Sequence, residues 1–204
     1  MNIAVIGSGN VGSALAVTWA HAGHDLTIGV RDLSKFKGAS TVRDESRIRV
    51  ALIPDAVHSS DVILLAVPGD ALGDVAATMG NVQKKILIDA SNSLRQRPGL
   101  PSPHEVLRSQ TPGADVVKCF NTTGFNIMAN PAFAEGKADM FIAGDSQHAK
   151  AVVRTLALDA GFGECYDVGG ADKVPLLESF ALLWITLAMQ QGYGREIAFK
   201  LMRR

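Results

Sequence analysis

Six residues near the amino terminus, Gly7-Ser8-Gly9-Asn10-Val11-Gly12, carry glycines at the spacing G-x-G-x-x-G. That spacing suits a backbone cradle for two linked phosphates. Gly7 permits a tight turn, Gly9 lets a pyrophosphate approach the chain, and Gly12 lets the next helix pack closely on the preceding strand. The amides and positive end of a helix starting near Asn10 then hold the phosphate charge. The glycines alone are a weak sign, because a ligand-free Gly-rich turn has the same composition. Their context strengthens the reading: an apolar strand precedes them, a helical run follows, and a second strand comes about twenty residues on.

The end of that second strand reports on the kind of dinucleotide. A site for NAD usually places Asp or Glu there, bonded to the ribose hydroxyls. Here the residues are Gly29-Val30-Arg31-Asp32, with Lys35 close behind. Arg31 offers a planar fork suited to a 2′-phosphate, and Lys35 a second positive charge. The pair favours NADP(H). Asp32 keeps other assignments open: it can serve a 2′-hydroxyl, pair with Arg31 or Lys35, or stand at a helix start.

In sheets of this kind ligands lie beyond the carboxyl ends of the strands. Those ends read Ala66-Val67-Pro68-Gly69, Asp89-Ala90-Ser91-Asn92 and Lys118-Cys119-Phe120-Asn121-Thr122-Thr123-Gly124. Ala66, Val67 and Pro68 offer small side chains and backbone polar groups beside a ribose. Ser91, Asn92, Asn121 and Thr122 can bond a carboxamide or the edge of a substrate ring, or simply shape the turns. Lys118 stands in an otherwise apolar strand. It can protonate a carbonyl, anchor an acidic substrate or reach solvent from the sheet rim; anchoring or solvent is the favoured expectation. The five histidines fall in loop, helix-end or exposed-helix settings. No Ser-His-Asp order, zinc spacing or carboxylate pair emerges, so neither a catalytic side chain nor a metal site is expected. That pattern fits hydride passage between stacked rings, where positioning dominates. Ketone reduction would call for a placed proton donor.

The elements that must position these residues alternate strand and helix, the mark of a parallel sheet covered on both faces. Strands are expected at Asn2–Ile6, Asp25–Val30, Arg47–Ile53, Asp61–Val67, Lys85–Asp89 and Asp115–Phe120, then at Asp139–Ala143 and Glu164–Asp167. A helix over Val11–Ala22 should stop at Gly23. A later helix buries Val152, Val153, Leu156 and Ala157 and closes at Gly161. Residues 92–104, with Pro98, Pro101 and Pro103, read as one long loop. Val174–Arg203 reads as helical, broken near Gly192–Gly194. The expected fold is α/β: a Rossmann-type, doubly wound, mostly parallel sheet over residues 1–168, with a small C-terminal helical appendage, 169–204, packed on it or on a partner subunit. The stretch 176–189 is apolar nearly all round. It would pack a second face on a partner, help roof the site, or lie wholly within its own subunit.

Composition narrows the function classes. The chain has 204 residues, enough for one core and a modest appendage. Twenty basic residues balance twenty acidic ones, so no global field draws it to nucleic acid. The apolar run Phe180–Met189 has about half the length a bilayer needs, and Met1–Ile6 lacks a basic leader. Cys119 and Cys165 lie far apart without metal-ligand spacing, which favours free thiols. These features point to the cytoplasm.

Five segments together carry a resemblance: 7–16 (Gly-Ser-Gly-Asn-Val-Gly-Ser-Ala-Leu-Ala), 29–31 (Gly-Val-Arg), 64–68 (Leu-Leu-Ala-Val-Pro), 88–92 (Ile-Asp-Ala-Ser-Asn) and 117–122 (Val-Lys-Cys-Phe-Asn-Thr). The set resembles the NADPH-dependent deazaflavin oxidoreductases, the coenzyme F-420:NADP oxidoreductases. The last segment is also similar to the cytosolic reductase domain of six-transmembrane metalloreductases. The resemblance implies direct hydride transfer between NADPH and a deazaflavin (coenzyme F-420) or a flavin such as FMN or FAD, in a homodimer and without a catalytic acid. By position it implies that Ser8–Val11 meet the pyrophosphate, Arg31 and Lys35 the 2′-phosphate, and the residues around Val67 and Ser91 the nicotinamide. Val30 stands where the family often has Ser or Thr, which would remove one phosphate contact. The alternatives are an NADP-dependent dehydrogenase or imine reductase using Lys118 and Asn121, and a non-catalytic NADP(H) sensor.

Overall fold

The computed structural model describes residues 1–36, 45–93 and 99–204; residues 94–98 of the expected long loop, Pro98 among them, lie outside these. The chain runs β1 (Asn2–Ile6), α1 (Asn10–His21), β2 (Asp25–Val30), β3 (Ile48–Leu52), α2 (Ile53–His58), β4 (Val62–Leu65), α3 (Leu72–Ala76) and β5 (Ile86–Asp89). It continues through α4 (Pro103–Gln110), β6 (Asp115–Lys118), α5 (Phe125–Ala129), β7 (Ala132–Phe133), β8 (Gly136–Lys137), β9 (Met140–Gly144), α6 (Gln147–Asp159), β10 (Cys165–Asp167) and α7 (Val174–Ile185).

Eight strands form one sheet in the order β10-β9-β6-β5-β4-β1-β2-β3. All neighbours are parallel except β6 and β9. From β1 the chain winds outward to β3, returns beside β1 as β4, and then winds the other way. The reversal between β1 and β4 opens a crevice where ligands of doubly wound sheets bind. Register aligns the strand ends: Ile6 pairs with Gly29 and Leu65, Leu65 with Asp89, and Asp89 with Lys118. Gly7, Ala66, Ala90 and Cys119 therefore leave the sheet along one edge.

The two-residue period of a strand divides the core into two layers. Ile3, Val5, Leu26, Ile28, Leu64, Ile88 and Val117 face α1, α5 and α6, with Leu15, Trp19 and Leu156 among the residues they meet. Ala4, Ile6, Ile63, Leu65, Leu87 and Val116 face α2, α3 and α4. Asp89 follows Leu87 and Lys118 follows Val116 by two, so both polar side chains enter the second layer.

Most expected elements are present, with shorter ends. β6 stops at Lys118 because Phe120 takes a left-handed conformation (φ 59°), uncommon for a residue with a side chain. Its ring is fully buried edge-on against Trp19, centroids 5.5 Å apart. Gly23, at φ 95°, ends α1 as expected. The C-terminal expectation needs correcting. α7 runs into a π-helical turn, Thr186–Gln190, and no helix follows. Gly192 and Gly194 reverse the chain with positive φ. The tail then returns along the body: Trp184 Nε1 donates to the Ile197 carbonyl at 2.7 Å, and Asp139 N donates to the Phe199 carbonyl at 3.0 Å. A long-range hydrogen-bonding partner, invisible to periodicity, replaces the expected helix.

Candidate functional site

The phosphate loop has the geometry its glycines require. Gly7 sits at φ 109°, where a side chain would also overlap the Ala66 carbonyl. A Cβ on Gly12 would overlap the carbonyl oxygen of Gly7. A Cβ on Gly9, by contrast, would meet nothing within 4 Å, so the backbone there faces open space. Gly9 is the N-cap of α1 yet supplies no side-chain hydrogen bond, and the first turn has no acidic residue. The leading amides of α1 are thus left for an external anion. Ser13 Oγ donates to the Ser8 carbonyl at 3.2 Å and ties the loop to the helix.

At the end of β2, two of the roles open to Asp32 are visible in its contacts. Its Oδ1 accepts from Ser34 N and Oγ at 3.0 and 2.7 Å, capping the short turn Leu33–Lys35, and its Oδ2 lies 3.2 Å from Lys35 Nζ. Hydrogen bonds from Ser34, then from Lys35, hold this carboxyl below its ordinary range. Asp32 is a turn cap and a partner of Lys35. Arg31 is exposed and has no ion-pair partner among the described residues. Lys35 borders the same depression, about 1040 Å³, as Ser8, Gly9 and Asn10.

Beyond β1, β4 and β5 lies a crevice of about 1490 Å³. Gly9, Asn10 and Val11 line it together with Ala66, Val67, Pro68, Ser91 and Asn92, and so do Val174, Pro175 and Glu178 of α7. α7 thus helps wall the site with its first turns. Arg195 and Phe125 also border the crevice, with the Arg195 guanidinium 5.4 Å from the Phe125 ring centre.

Lys118, Asn121 and Thr122 lie beneath this surface, and the expectations for them need revision. Lys118 is fully buried and does not reach solvent. Asp89 and Lys118 are register partners on neighbouring strands, so their side chains leave the sheet together, Nζ 3.0 Å from Asp89 Oδ2. Nζ also lies 3.3 Å from Glu178 Oε1 and 3.5 Å from Ser91 Oγ. Two carboxylates already take its charge, which leaves it poorly placed to anchor a third. Asn121 Nδ2 donates to Asn92 Oδ1 and to the Leu177 carbonyl, both at 3.2 Å. Thr122 Oγ1 contacts Met140 Sδ at 3.6 Å. Lys118 and Asn121 fix Ser91, Glu178 and Asn92, which do line the crevice.

Sequence reasoning missed the rest of this cluster. His104, expected in an exposed or loop setting, is only 2% exposed. Ser102 and Glu105 form a capping box at the start of α4, with Pro103 at the first turn, and this pins His104. Its Nδ1 lies 2.9 Å from Asp89 Oδ2. Burial alone would push the Asp89 carboxyl up; the Lys118 charge and hydrogen bonds from His104 and Ser91 more than offset this and hold it well below the usual range. An ionised carboxylate only accepts, so Nδ1 carries the proton in this bond. His104 Nε2 is buried with no partner among the described residues. Glu178 Oε1 accepts from Ser93 Oγ at 3.1 Å as well as from Lys118. The carboxylate pair that sequence did not show is therefore Asp89 and Glu178, brought together by α7. One signal for His104 was available: the Ser-Pro-His-Glu cap at 102–105.

Comparisons with known proteins agree with this geometry. The family model for coenzyme F420-dependent NADP oxidoreductases matches residues 2–93. The F420-dependent NADP reductase of Methanothermobacter thermautotrophicus is 31% identical over 212 residues, covering 92% of this chain and 89% of that protein. Metalloreductase STEAP3 of Rattus norvegicus is 28% identical over 163 residues, which span 78% of this chain but 32% of that one. A crystal structure of a candidate F420-dependent NADP reductase from Arthrobacter superposes with a TM-score of 0.88 at 27% identity, over the full length of both chains. Taken with the glycine cradle and the reversal between β1 and β4, these matches place the chain in the F420-dependent NADP reductase family, as an NADP-dependent oxidoreductase.

Proposed function

We propose that this protein transfers hydride directly between NADP(H) and a deazaflavin such as coenzyme F-420, or a flavin such as FMN or FAD. The observation that carries this reading is the crevice. It is lined by the glycine loop, by the small residues Ala66–Pro68 and by the first turns of α7, and its volume of about 1490 Å³ exceeds the roughly 300–1,000 Å³ of ordinary ligand pockets, room for a dinucleotide and a second ring system. The residues fit NADP(H). Ser8–Val11 and Gly12 would hold the pyrophosphate, Arg31 and Lys35 the 2′-phosphate, and Ala66, Val67, Pro68, Ser91 and Asn92 the nicotinamide end. Bound there, the cofactor supplies the hydride. Val67 would border the nicotinamide ring, and the first turns of α7 would wall the same crevice.

The acceptor is tested by stopped-flow mixing of the NADPH complex with deazaflavin, FMN, FAD and small carbonyls and imines. Reduction of ring acceptors supports the proposal; turnover of carbonyls or imines alone contradicts it. One observation favours that second reading, the placement of His104 beside the crevice, since reduction of a carbonyl needs a proton donor.

Arg31 sets the cofactor preference in this account. Arg31→Ala should lose one charge-assisted contact with the 2′-phosphate, about 1.5–3 kcal/mol or roughly 10- to 150-fold in NADPH affinity. NADH affinity should be nearly unchanged. Fluorescence titration with both nucleotides measures this, and an equal loss for the two would remove Arg31 from the site.

A second copy of the chain is proposed to cover the outer face of α7. Val174, Leu177, Ala181 and Trp184 are buried, but Leu176, Leu182 and Leu183, and Met189 in the turn after the helix, are exposed on the single chain. Exposed apolar faces of this kind mark interfaces. Sedimentation should show a dimer at micromolar concentration, and a strict monomer would exclude it. No described helix is long and apolar enough to cross a membrane. The thiols of Cys119 and Cys165 are both buried and unpaired in disulfides; burial, then the adjoining Cys165 thiol, pushes the Cys119 thiol well up and leaves it unreactive. A cytoplasmic setting and a small-molecule redox acceptor belong to this reading, and twenty basic against twenty acidic residues give nucleic acid no global field to follow.

A further inference from the structure

We propose that Arg195, on the tail that follows α7, is a further cofactor-binding residue whose guanidinium meets the pyrophosphate of NADP(H). The proposal rests on the nucleotide half of the reading above and is independent of the acceptor's identity.

The first observation is where Arg195 stands. Phe125 borders two hollows, the crevice and the depression it shares with Ser8, Gly9 and Asn10. Its helix, α5, packs against α1. The ring is therefore close to the start of α1, whose leading amides have no side-chain cap. The Arg195 guanidinium lies over that ring, 5.4 Å from its centre, and Arg195 lines the crevice with Gly9, Asn10 and Val11.

The second observation is charge. Residues 7–13 carry no cationic side chain, so the cradle itself offers a pyrophosphate only amides and a helix end. Asp70, Asp74, Glu105 and Asp172 also line the crevice, and their charge opposes a doubly anionic group. Two arginines line it as well. Arg108 is taken, its Nη2 bonded to Asp145 Oδ2 at 2.7 Å. Arg195 is exposed and has no carboxylate partner among the described residues. The adjoining Glu196 accepts from Asn126 Nδ2 at 2.6 Å instead. A guanidinium fork can donate to two phosphate oxygens at once, which suits the linked pair.

The third observation is how the tail is held. Trp184 Nε1 donates to the Ile197 carbonyl at 2.7 Å, and the Phe199 ring stacks on Phe180 with centroids 4.4 Å apart. A Cβ on Gly124, the N-cap of α5, would come within 2.8 Å of the Trp184 ring and 3.8 Å of the Arg195 carbonyl oxygen. The start of α5, the end of α7 and the tail thus meet at one point, and the backbone that carries Arg195 is fixed before any ligand arrives. A group placed in advance loses less freedom on binding.

Both NADPH and NADH contain the pyrophosphate. Arg195 therefore sets the strength of binding for either, whereas Arg31 sets the choice between them. The phosphate on the side chain of an acceptor would suit the same fork. The closeness of Phe125 to the glycine loop favours the dinucleotide, and the test separates the two sources.

The full-length protein, Arg195→Met and Arg195→Lys are titrated with NADPH and with NADH by fluorescence, and KM is then measured for FMN and for a deazaflavin. Methionine keeps an apolar stem against Phe125 and removes the charge; lysine keeps the charge and loses the fork. Arg195 is exposed, so melting temperatures should match the parent's. The expected result for Arg195→Met is a loss of about tenfold or more for NADPH and NADH alike, with a smaller loss in Arg195→Lys. Arg31→Ala should give the contrasting pattern, a loss for NADPH alone. An Arg195→Met protein that binds both nucleotides within about twofold of the parent would overturn the proposal. A loss confined to NADPH would move Arg195 to the 2′-phosphate, and a raised acceptor KM with unchanged nucleotide affinities would move it to the acceptor; each contradicts the pyrophosphate role. So would an Arg195→Lys protein as weak as Arg195→Met, since charge would then not be what holds the nucleotide. If the parent protein binds neither nucleotide, the underlying cofactor-site reading fails instead.

Discussion

Lys118→Met should destabilise the fold by about 3–5 kcal/mol, the usual effect of stripping a buried charge cluster of one partner. Lys118 is fully enclosed, and among the described residues its ammonium is the one lysine or arginine cation bonded to Asp89 and Glu178. Methionine fills similar volume, so packing changes little and the effect reports on charge. The pH dependence has a definite sign. In the parent, Asp89 has its folded carboxyl depressed. Its contribution to stability is therefore present above the ordinary carboxylate range, about pH 4, and is lost as pH falls through the lower folded value. In Lys118→Met the Asp89 carboxyl loses the charge that most offsets its burial and, with a second carboxylate in the cluster, binds protons more readily folded than unfolded. Stability should then rise on acidification from neutral, and the deficit should narrow toward pH 5. Urea denaturation at two pH values measures both effects. A loss below about 1 kcal/mol, typical of a surface pair, would show that Lys118 is not the keystone of the cluster.

The second large effect concerns the cradle. Gly12→Ala should lower NADPH affinity by at least a hundredfold, about 2.7 kcal/mol, because the new methyl would overlap the Gly7 carbonyl and approach Val5 Cγ1 to 3.1 Å. The Gly7 carbonyl belongs to the backbone and cannot swing aside as a flexible side chain would. The loop must rebuild, and the amides of α1 lose their common aim. Gly9→Ala provides the contrast. Its Cβ meets no protein atom, so the fold should tolerate it, and any loss of affinity would come from crowding the ligand itself. Comparing melting temperature and NADPH titration for the two variants separates these causes. Equal behaviour would contradict the separate roles given to the glycines.

The parts of the molecule that local sequence determines were open to reading from it. β1, α1 and β2 follow from apolar runs, a glycine stop and the spacing of Gly7, Gly9 and Gly12, all governed by neighbours in the chain. The buried strands β4, β5 and β6 were equally plain, since both faces of each are covered. What sequence did not disclose depends on contacts between distant segments. His104 looked like a loop residue because the partners that bury it, Asp89 and Lys118, lie on β5 and β6. Glu178 reads as an isolated acid in an apolar helix until α7 is laid against the crevice. The chain after Gln190 carries helix-forming residues, yet Asp139 and Trp184 capture its backbone instead. Asp32 shows a milder case: several roles were open to it, and its capping of Ser34 and pairing with Lys35 became visible only in the geometry.

The central claim is that NADPH, its pyrophosphate held by the Gly7–Gly12 cradle, passes hydride straight from its nicotinamide to a ring stacked beside it. The most direct measurement uses NADPH carrying deuterium on the transferable position of C4 and follows the label onto the ring carbon of a deazaflavin in a single turnover; a flavin, whose N5 hydrogen exchanges with water, is read by the isotope effect alone. The account predicts a primary isotope effect on acceptor reduction and deuterium on the reduced deazaflavin, carried over without exchange into solvent. Tight NADPH binding with an unlabelled reduced deazaflavin, or with no ring acceptor reduced, would contradict it.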